Sequence, residues 1–171
     1  MTTPKKTRAT ALVPWSHAGK QGILVHADSH KNEWVLPGGG LELDANGRAE
    51  TPRVAVVREL AEETGLTAEA VATLFLYAGK FRVHHVFHIR PSGTLQIVDL
   101  KEAPAFGLCG PNLVVDMIAC APNYSTGGRT LSHSARAIIE RYQADYHRLP
   151  SARLIPTALT VTGERGEITQ S

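Results

Sequence analysis

The sequence predicts an α/β fold in which mixed β-strands surround two principal helices. Three observations carry this expectation. Short strand-like runs recur along the chain, as at 21–26 (Gln-Gly-Ile-Leu-Val-His) and 34–36 (Trp-Val-Leu). One helix is bracketed by Thr51-Pro52 at its start and Gly65 at its end. A second is marked by Ala135, Ile138, Ile139 and Tyr142 at helical spacing within 132–147. A chain of 171 residues suits a single domain with a real core, so 1–171 is read as one unit with loose tails at about 1–6 and 163–171.

In order, strands are expected at 7–14 and 21–26, with a turn at 16–20 around Gly19. A polar turn at 28–32 leads into the strand at 34–36, which Pro37-Gly38-Gly39-Gly40 ends. After the first helix, 71–78 and 80–90 read as strands, Pro91-Ser92-Gly93 as a turn, and 95–98 as a further short strand. Residues 101–111 hold Pro104, Gly107, Gly110 and Pro111 and read as irregular. The stretch 112–120 is apolar enough for a buried helix or a strand, and 122–128 reads as a loop. No internal repeat and no interdomain linker is visible.

The first helix carries the chemistry. At about 100° per residue, Glu59, Glu62 and Glu63 share one face, while Val56, Val57, Leu60 and Ala61 face the other way. Glu59 and Glu63 are one turn apart and repel by a few tenths of a kcal/mol in an isolated helix. No basic residue stands three or four positions after Glu59. Acidic helix faces are often merely solvated, and Arg58 with Glu62 could be an ordinary surface pair. The glycine loop upstream argues otherwise, because it lets backbone carbonyls and amides approach an ion or a phosphate closely. Hard divalent cations such as Mg²⁺ take carboxylates and fill their shell with water and substrate phosphates.

Glu50, a seven-residue spacer and then 58–66 (Arg-Glu-Leu-Ala-Glu-Glu-Thr-Gly-Leu) resemble the second half of the Nudix box of the Nudix hydrolases. The first half departs from the family pattern. Gly39 lies eleven residues before Glu50 instead of six, so 43–49 (Leu-Asp-Ala-Asn-Gly-Arg-Ala) reads as a five-residue insertion in a surface loop. The resemblance implies a three-layer α/β/α sandwich with a mixed β-sheet, and hydrolysis of a diphosphate linked to another group. It implies Mg²⁺ as cofactor, with Mn²⁺ as a substitute. By position it makes Glu62 and Glu63 metal ligands, Glu59 a further ligand or the general base, and Arg58 the residue that positions Glu59. The Gly38 carbonyl is an expected additional ligand, and Glu50 is expected at the helix entrance in an orienting role. An extra acid often comes from a loop outside the box; Glu102 is the candidate and Asp99 its competitor. A binding or regulatory module with little turnover is the alternative function, although such proteins usually lose helix glutamates. A prenyl diphosphate isomerase on the same fold is disfavoured, since no Cys stands on the expected strand.

Composition narrows the surroundings. Hydrophobic residues at 43% and charged residues at 20% describe a globular chain and not a disordered one. A formal charge of +2 is too small to argue for nucleic acid or membrane partners, and Lys5-Lys6-Thr7-Arg8 reads as a solvated tail. No apolar stretch suits a membrane span or a signal peptide, and Cys109 and Cys120 stand without zinc-finger spacing. A cytoplasmic protein acting on a small nucleotide or other diphosphate is expected, with a homodimer allowed by the family's habits.

Other residues carry weaker signals. Trp34 reads as core. His84, His85 and His88 lack an acid to complete a ligand set and read as ordinary histidines, with a substrate wall as the sharper alternative. Residues 125–129 (Ser-Thr-Gly-Gly-Arg) lack a following P-loop lysine and read as a plain loop. Substrate-binding residues are not placed by the sequence; Phe81, Phe87, Tyr77 and Trp15 are the aromatics that could stack a base.

Overall fold

The computed structural model describes residues 5–125 and 127–146 in full, and the backbone of 159–162 and 167–170. Five strands precede the first helix: β1 (Lys6–Leu12), β2 (Pro14–His17), β3 (Lys20–Asp28), β4 (Glu33–Val35) and β5 (Gly38–Gly40). Then follow α1 (Pro52–Thr64), β6 (Thr67–Ala78), β7 (Arg82–Ser92), β8 (Ala105–Cys109), β9 (Val115–Cys120), β10 (Thr130–Leu131) and α2 (His133–Tyr146). A hairpin of β11 (Leu159–Thr162) and β12 (Glu167–Gln170) stands as its own sheet.

Two mixed sheets form the centre. The first runs β5-β1-β7-β6, with β1 parallel to β7 and antiparallel to β5. The second runs β10-β4-β3-β8-β9, with β2 folded back on β3. Successive residues of β1 divide between two cores. Ala9 and Ala11 pack in the cluster that holds Val56, Val57 and Leu60 of α1, while Leu12 joins Ala135, Ile138 and Ile139 of α2. In β7, Phe87 and Ile89 divide from Val86 in the same way. Alternate strand residues point to opposite faces, so α1 and α2 cover opposite sides of the first sheet, which is the expected three-layer arrangement.

Helix α1 forms as its local sequence dictates. The Thr51 hydroxyl accepts from the Val54 amide at 3.3 Å, Pro52 opens the first turn, and Gly65 (φ 73°) closes the last with its amide on the Ala61 carbonyl at 2.9 Å. The insertion is a self-contained excursion. Asp44 bonds back to Arg48 and Asn46, and Glu50 donates its amide to the Glu42 carbonyl at 2.9 Å. The extra residues are closed off at their base, and Glu50 reaches the helix as though they were absent.

Several expectations are corrected. Residues 95–98 are not a strand. The Gln96 amide bonds the Thr64 carbonyl at the end of α1, and Leu95 and Ile97 pack against the core from an irregular segment. The irregular reading of 101–111 hides β8, a fully buried strand between β3 and β9. Its Gly107 sits at a bulge where a Cβ would lie 2.4 Å from Val115 Cγ1, so the glycine marks close strand approach and not a break. The choice left open for 112–120 falls to strand, as β9. Pro91 and Ser92 continue β7 instead of turning. Residues 14–17 form a strand of their own, β2. In the expected loose tails, Lys6 belongs to β1 and 167–170 are strand; residues 1–4, 163–166 and 171 lie outside the described residues. No helix among the described residues is long and apolar enough to cross a membrane.

Candidate active site

The glutamates of α1 open onto a cavity of about 820 Å³ that also touches β1, β3, β5, the β6–β7 turn and the start of α2. Glu59, Glu62, Glu63, Gly38 and both loop acids, Asp99 and Glu102, line it. The acidic face is less solvated than the sequence suggests. The Glu59 and Glu63 side chains are 16% and 11% exposed, whereas Glu62 is 56% exposed. Burial, and then the neighbouring Glu63 charge, raise the Glu59 pKa, with Arg58 opposing them.

Arg58 is the hub of the acidic cluster. Its Nη2 lies 2.6 Å from Glu50 Oε1, and its Nη1 lies 3.0 Å from Glu59 Oε1 and 2.9 Å from Glu62 Oε2. Glu42 lies 3.5 Å away, and the Gly40 carbonyl accepts from Nη2 at 3.2 Å. Burial alone would depress the guanidinium pKa, but Glu50 and Glu59 outweigh it and the net shift is upward. Arg58 thus contacts Glu59, which it was expected to position, and Glu50 contacts Arg58 at the helix entrance.

The three glycines expected as a loop instead form β5, and this strand presses directly on the cluster. The Gly38 amide donates to Glu63 Oε2 at 2.9 Å. A Cβ on Gly39 would lie 2.0 Å from Glu59 Oε1, so Glu59 occupies space that only glycine leaves free. At Gly38 a Cβ would strike the Ala9 carbonyl oxygen at 2.1 Å, and its φ of 145° lies where L side chains are strained. These two positions separate site from scaffold. Gly39→Ala is expected to lower kcat by about 100-fold, since displacing a catalytic group by an ångström costs on that order. Its melting temperature should stay near wild type, because Glu59 can swing aside. Parallel kinetics and melting curves check this; a collapse of stability with kcat per folded molecule unchanged would refute it.

Two residues absent from the expected set face the acids. Arg8, read from sequence as part of a solvated tail, lies in β1 with Nη2 donating to the Gly38 carbonyl at 2.5 Å. Burial lowers its pKa, with Glu63 and Glu59 working against that shift. The Gly38 carbonyl expected as a metal ligand is thus engaged by a guanidinium here. His26, at the end of β3, brings Nε2 to 3.5 Å from Glu63 Oε2, and Nε2 has no hydrogen-bond partner. Burial disfavours its imidazolium, yet the Glu63 carboxylate prevails and the pKa is raised. Alternation along the expected strand at 7–14 places Arg8 with Thr10 and Leu12, and an arginine on that inward face was the readable sign of the first. For His26 the sequence offers only a histidine closing an apolar strand.

The remaining expectations sort by position. Of the two loop acids, Asp99 Oδ1 accepts the amides of Lys101 and Glu102 and so holds its own turn, whereas Glu102 makes a 4.0 Å contact to His30 Nε2. His84 lines the cavity and bonds Thr10 Oγ1 through Nδ1 at 2.9 Å. Burial, then Arg8 and Arg82, push its pKa down to about 4, so it faces the site neutral. His88 instead stacks on Tyr142. Trp34 is core, as expected. Of the four aromatics, only Phe81 lines the cavity, 73% exposed at the β6–β7 turn. Arg129 ties the 122–129 loop to the carbonyls of Asp28 and Lys31 and to Tyr124, a structural use.

Among the described residues, no three His, Cys, Asp or Glu side chains are already gathered as a ligand cage. The donor set nevertheless fits a hard divalent cation. The Glu59 carboxylate, its proton affinity raised by burial and by the neighbouring Glu63 charge, and an unpartnered buried imidazole nitrogen are groups that a positive ion would satisfy.

A family profile for the NUDIX domain matches residues 5–118. A MutT-like protein of Streptomyces ambofaciens is 38% identical over 129 residues, covering 70% of this chain and 78% of that protein. Human diphosphoinositol polyphosphate phosphohydrolase 2 is 30% identical over 82 residues, 48% of this chain; the match spans only 43% of that relative's length. Among solved structures, a putative nudix hydrolase family member from Chromobacterium violaceum has a TM-score of 0.58 at 24% identity, covering 84% of this chain and 80% of that one. The NUDIX domain of Shewanella oneidensis NrtR, crystallised with ADP ribose, has a TM-score of 0.57 at 18% identity, covering 84% and 89%. The chain belongs to the Nudix hydrolase family, whose members generally act on nucleoside diphosphate derivatives.

Proposed function

We propose that the chain hydrolyses a phosphoanhydride bond in a nucleoside diphosphate linked to another group, by water attack on phosphorus, with Mg²⁺ as the working cation and Mn²⁺ able to replace it. The observation that carries this reading is the mixed charge of the cavity lining. Glu59, Glu62 and Glu63 share it with Arg8, Arg82, Lys31 and Lys80. A pyrophosphate needs cations on both flanks before water can approach it, and acids alone would repel it.

Glu63 and Glu62 are the residues that would hold the cation, with Glu102 within the same cavity as a further carboxylate. When bound, the cation neutralises phosphate charge and acidifies water. Glu59 takes the proton as the water oxygen bonds to phosphorus and the anhydride oxygen departs with the leaving phosphate. Its raised pKa suits a group that must accept a proton near neutral pH. Arg58 fixes the Glu59 carboxylate in place, and the basic side chains of the cavity orient the diphosphate.

The deciding experiment is phosphate release from a panel, with and without Mg²⁺ or Mn²⁺. The panel holds ADP-ribose, oxidised nucleoside triphosphates, dinucleoside polyphosphates, sugar nucleotides and a diphosphoinositol polyphosphate, the last prompted by the named relative. Metal-dependent turnover of at least one member is expected, and its identity names the substrate class. Nucleotide binding without turnover on any member would replace this reading with a binding module.

A further inference from the structure

We propose that His26 is a nitrogen ligand of the metal site, so that the cation is held by His26 and Glu63 together and not by oxygen atoms alone. The inference rests on the metal-dependent reading above and concerns a residue outside the family's acidic helix. His26 lines the cavity, and its side chain is 5% exposed. Its Nδ1 lies 3.1 Å from the Ala27 carbonyl oxygen. A carbonyl oxygen can only accept, so Nδ1 carries a hydrogen, which leaves Nε2 as the ring nitrogen able to bind a cation. That Nε2 is buried without a hydrogen-bond partner, and the acidic atom facing it is Glu63 Oε2 at 3.5 Å.

A carboxylate and a ring nitrogen facing each other in a buried site call for positive charge between them, and without a metal Glu63 favours a proton on the ring. A divalent cation meets that need. Histidine ligands commonly donate their second ring N–H to a backbone carbonyl, which fixes the tautomer and aims the free nitrogen at the metal. The Ala27 contact has this form. Neighbouring ligands on an octahedral ion with bonds near 2.1 Å sit roughly 3 Å apart, so the observed separation requires only a small closing movement. Glu63 and Glu59 both favour positive charge here, as their upward pull on the Arg8 pKa shows, with Arg82 opposing them. An imidazole in the shell also changes which ion is preferred. Mg²⁺ favours oxygen, whereas Mn²⁺, Co²⁺ and Zn²⁺ accept imidazole more readily.

Electron spin-echo envelope modulation on the wild-type protein loaded with Mn²⁺ tests this directly. Modulation from a directly bound nitrogen is expected, and it should change when the protein is labelled with ¹⁵N-histidine. His26→Gln should weaken Mn²⁺ binding by about tenfold or more, and Mg²⁺ binding by much less, as measured by calorimetry. The isotope measurement needs no mutation, so it stands even where the variant folds poorly. Tight Mn²⁺ binding without histidine modulation would overturn the inference, leaving His26 to hold Glu63 in place and the hydrolase reading intact. Failure of the wild type to bind Mn²⁺ or Mg²⁺ at all would overturn both.

Discussion

Glu59→Gln is expected to lower kcat by about 10²–10⁴-fold, the usual contribution of a positioned general base, while raising the melting temperature at neutral pH. The two effects share one cause. The fold holds Glu59 where burial and then Glu63 disfavour its charge, and Arg58 only partly offsets them. The sign follows from proton counting. Because the folded-state pKa is raised, the folded protein holds a proton that the unfolded chain has already released at pH just above 4.5. Stability is therefore complete below that value and falls as pH rises through the folded-state pKa. Glutamine has no charge to place there, so the variant should lack this fall, matching wild type in acid and exceeding it at neutral pH. Thermal melts from pH 4 to 8 check the slope. Divalent cation should erase the difference by stabilising wild type more than the variant. A variant that melts well below wild type at neutral pH would mean that the Arg58 contact outweighs the burial cost, contrary to this account.

The legible parts of the molecule were those decided locally. Helix α1 could be read with its caps and its two faces because Thr51, Pro52, Gly65 and the three glutamates lie within one short segment whose geometry is set by helical periodicity. The place of Arg58 beside Glu59 was implied by the family resemblance and not by helical periodicity. The losses were all non-local. Arg8 is thirty residues from Gly38, and only the antiparallel register of β1 on β5 sets Arg8 opposite Gly40 and brings its guanidinium onto the Gly38 carbonyl. His26 of β3 meets Glu63 of α1 through tertiary packing that no spacing reveals. The segment 95–98 misled because its apolar residues do pack on the core, while its backbone bonds the end of a helix instead of a strand. β8 was hidden by glycine and proline, which usually interrupt strands but here admit a tight neighbour. The helix acids of the cavity were thus readable and its basic residues were not, which is why the sequence indicates a class of chemistry and leaves its substrate open.

Arg58→Ala should be the most destabilising single change at the site, costing roughly 3–5 kcal/mol, the range for breaking a buried ion pair from one side. For a chain of this size that corresponds to a fall in melting temperature of about 10 °C. The reason lies in what remains. Glu50 and Glu59, at 15% and 16% side-chain exposure, would be left without their cation, and Glu59 would face Glu63 unopposed. Glu62→Ala removes a contact of similar length, yet should cost about 0.5 kcal/mol or less, because Glu62 is 56% exposed and water replaces what it loses. The individual contacts are of similar length, so the pair tests whether burial and the number of partners set the cost. Arg58→Lys should fall between them, since an ammonium can meet one carboxylate but not the fork that spans Glu50 and Glu59. The loss should reach the insertion as well. Glu50 Oε1 accepts the Glu42 amide while it binds Arg58, so the guanidinium anchors the base of the 43–49 loop to the helix. Amide exchange at Glu42 should therefore quicken in Arg58→Ala and stay unchanged in Glu62→Ala. Equal melting temperatures for the two variants would show that Arg58 acts on the chemistry without holding the fold together.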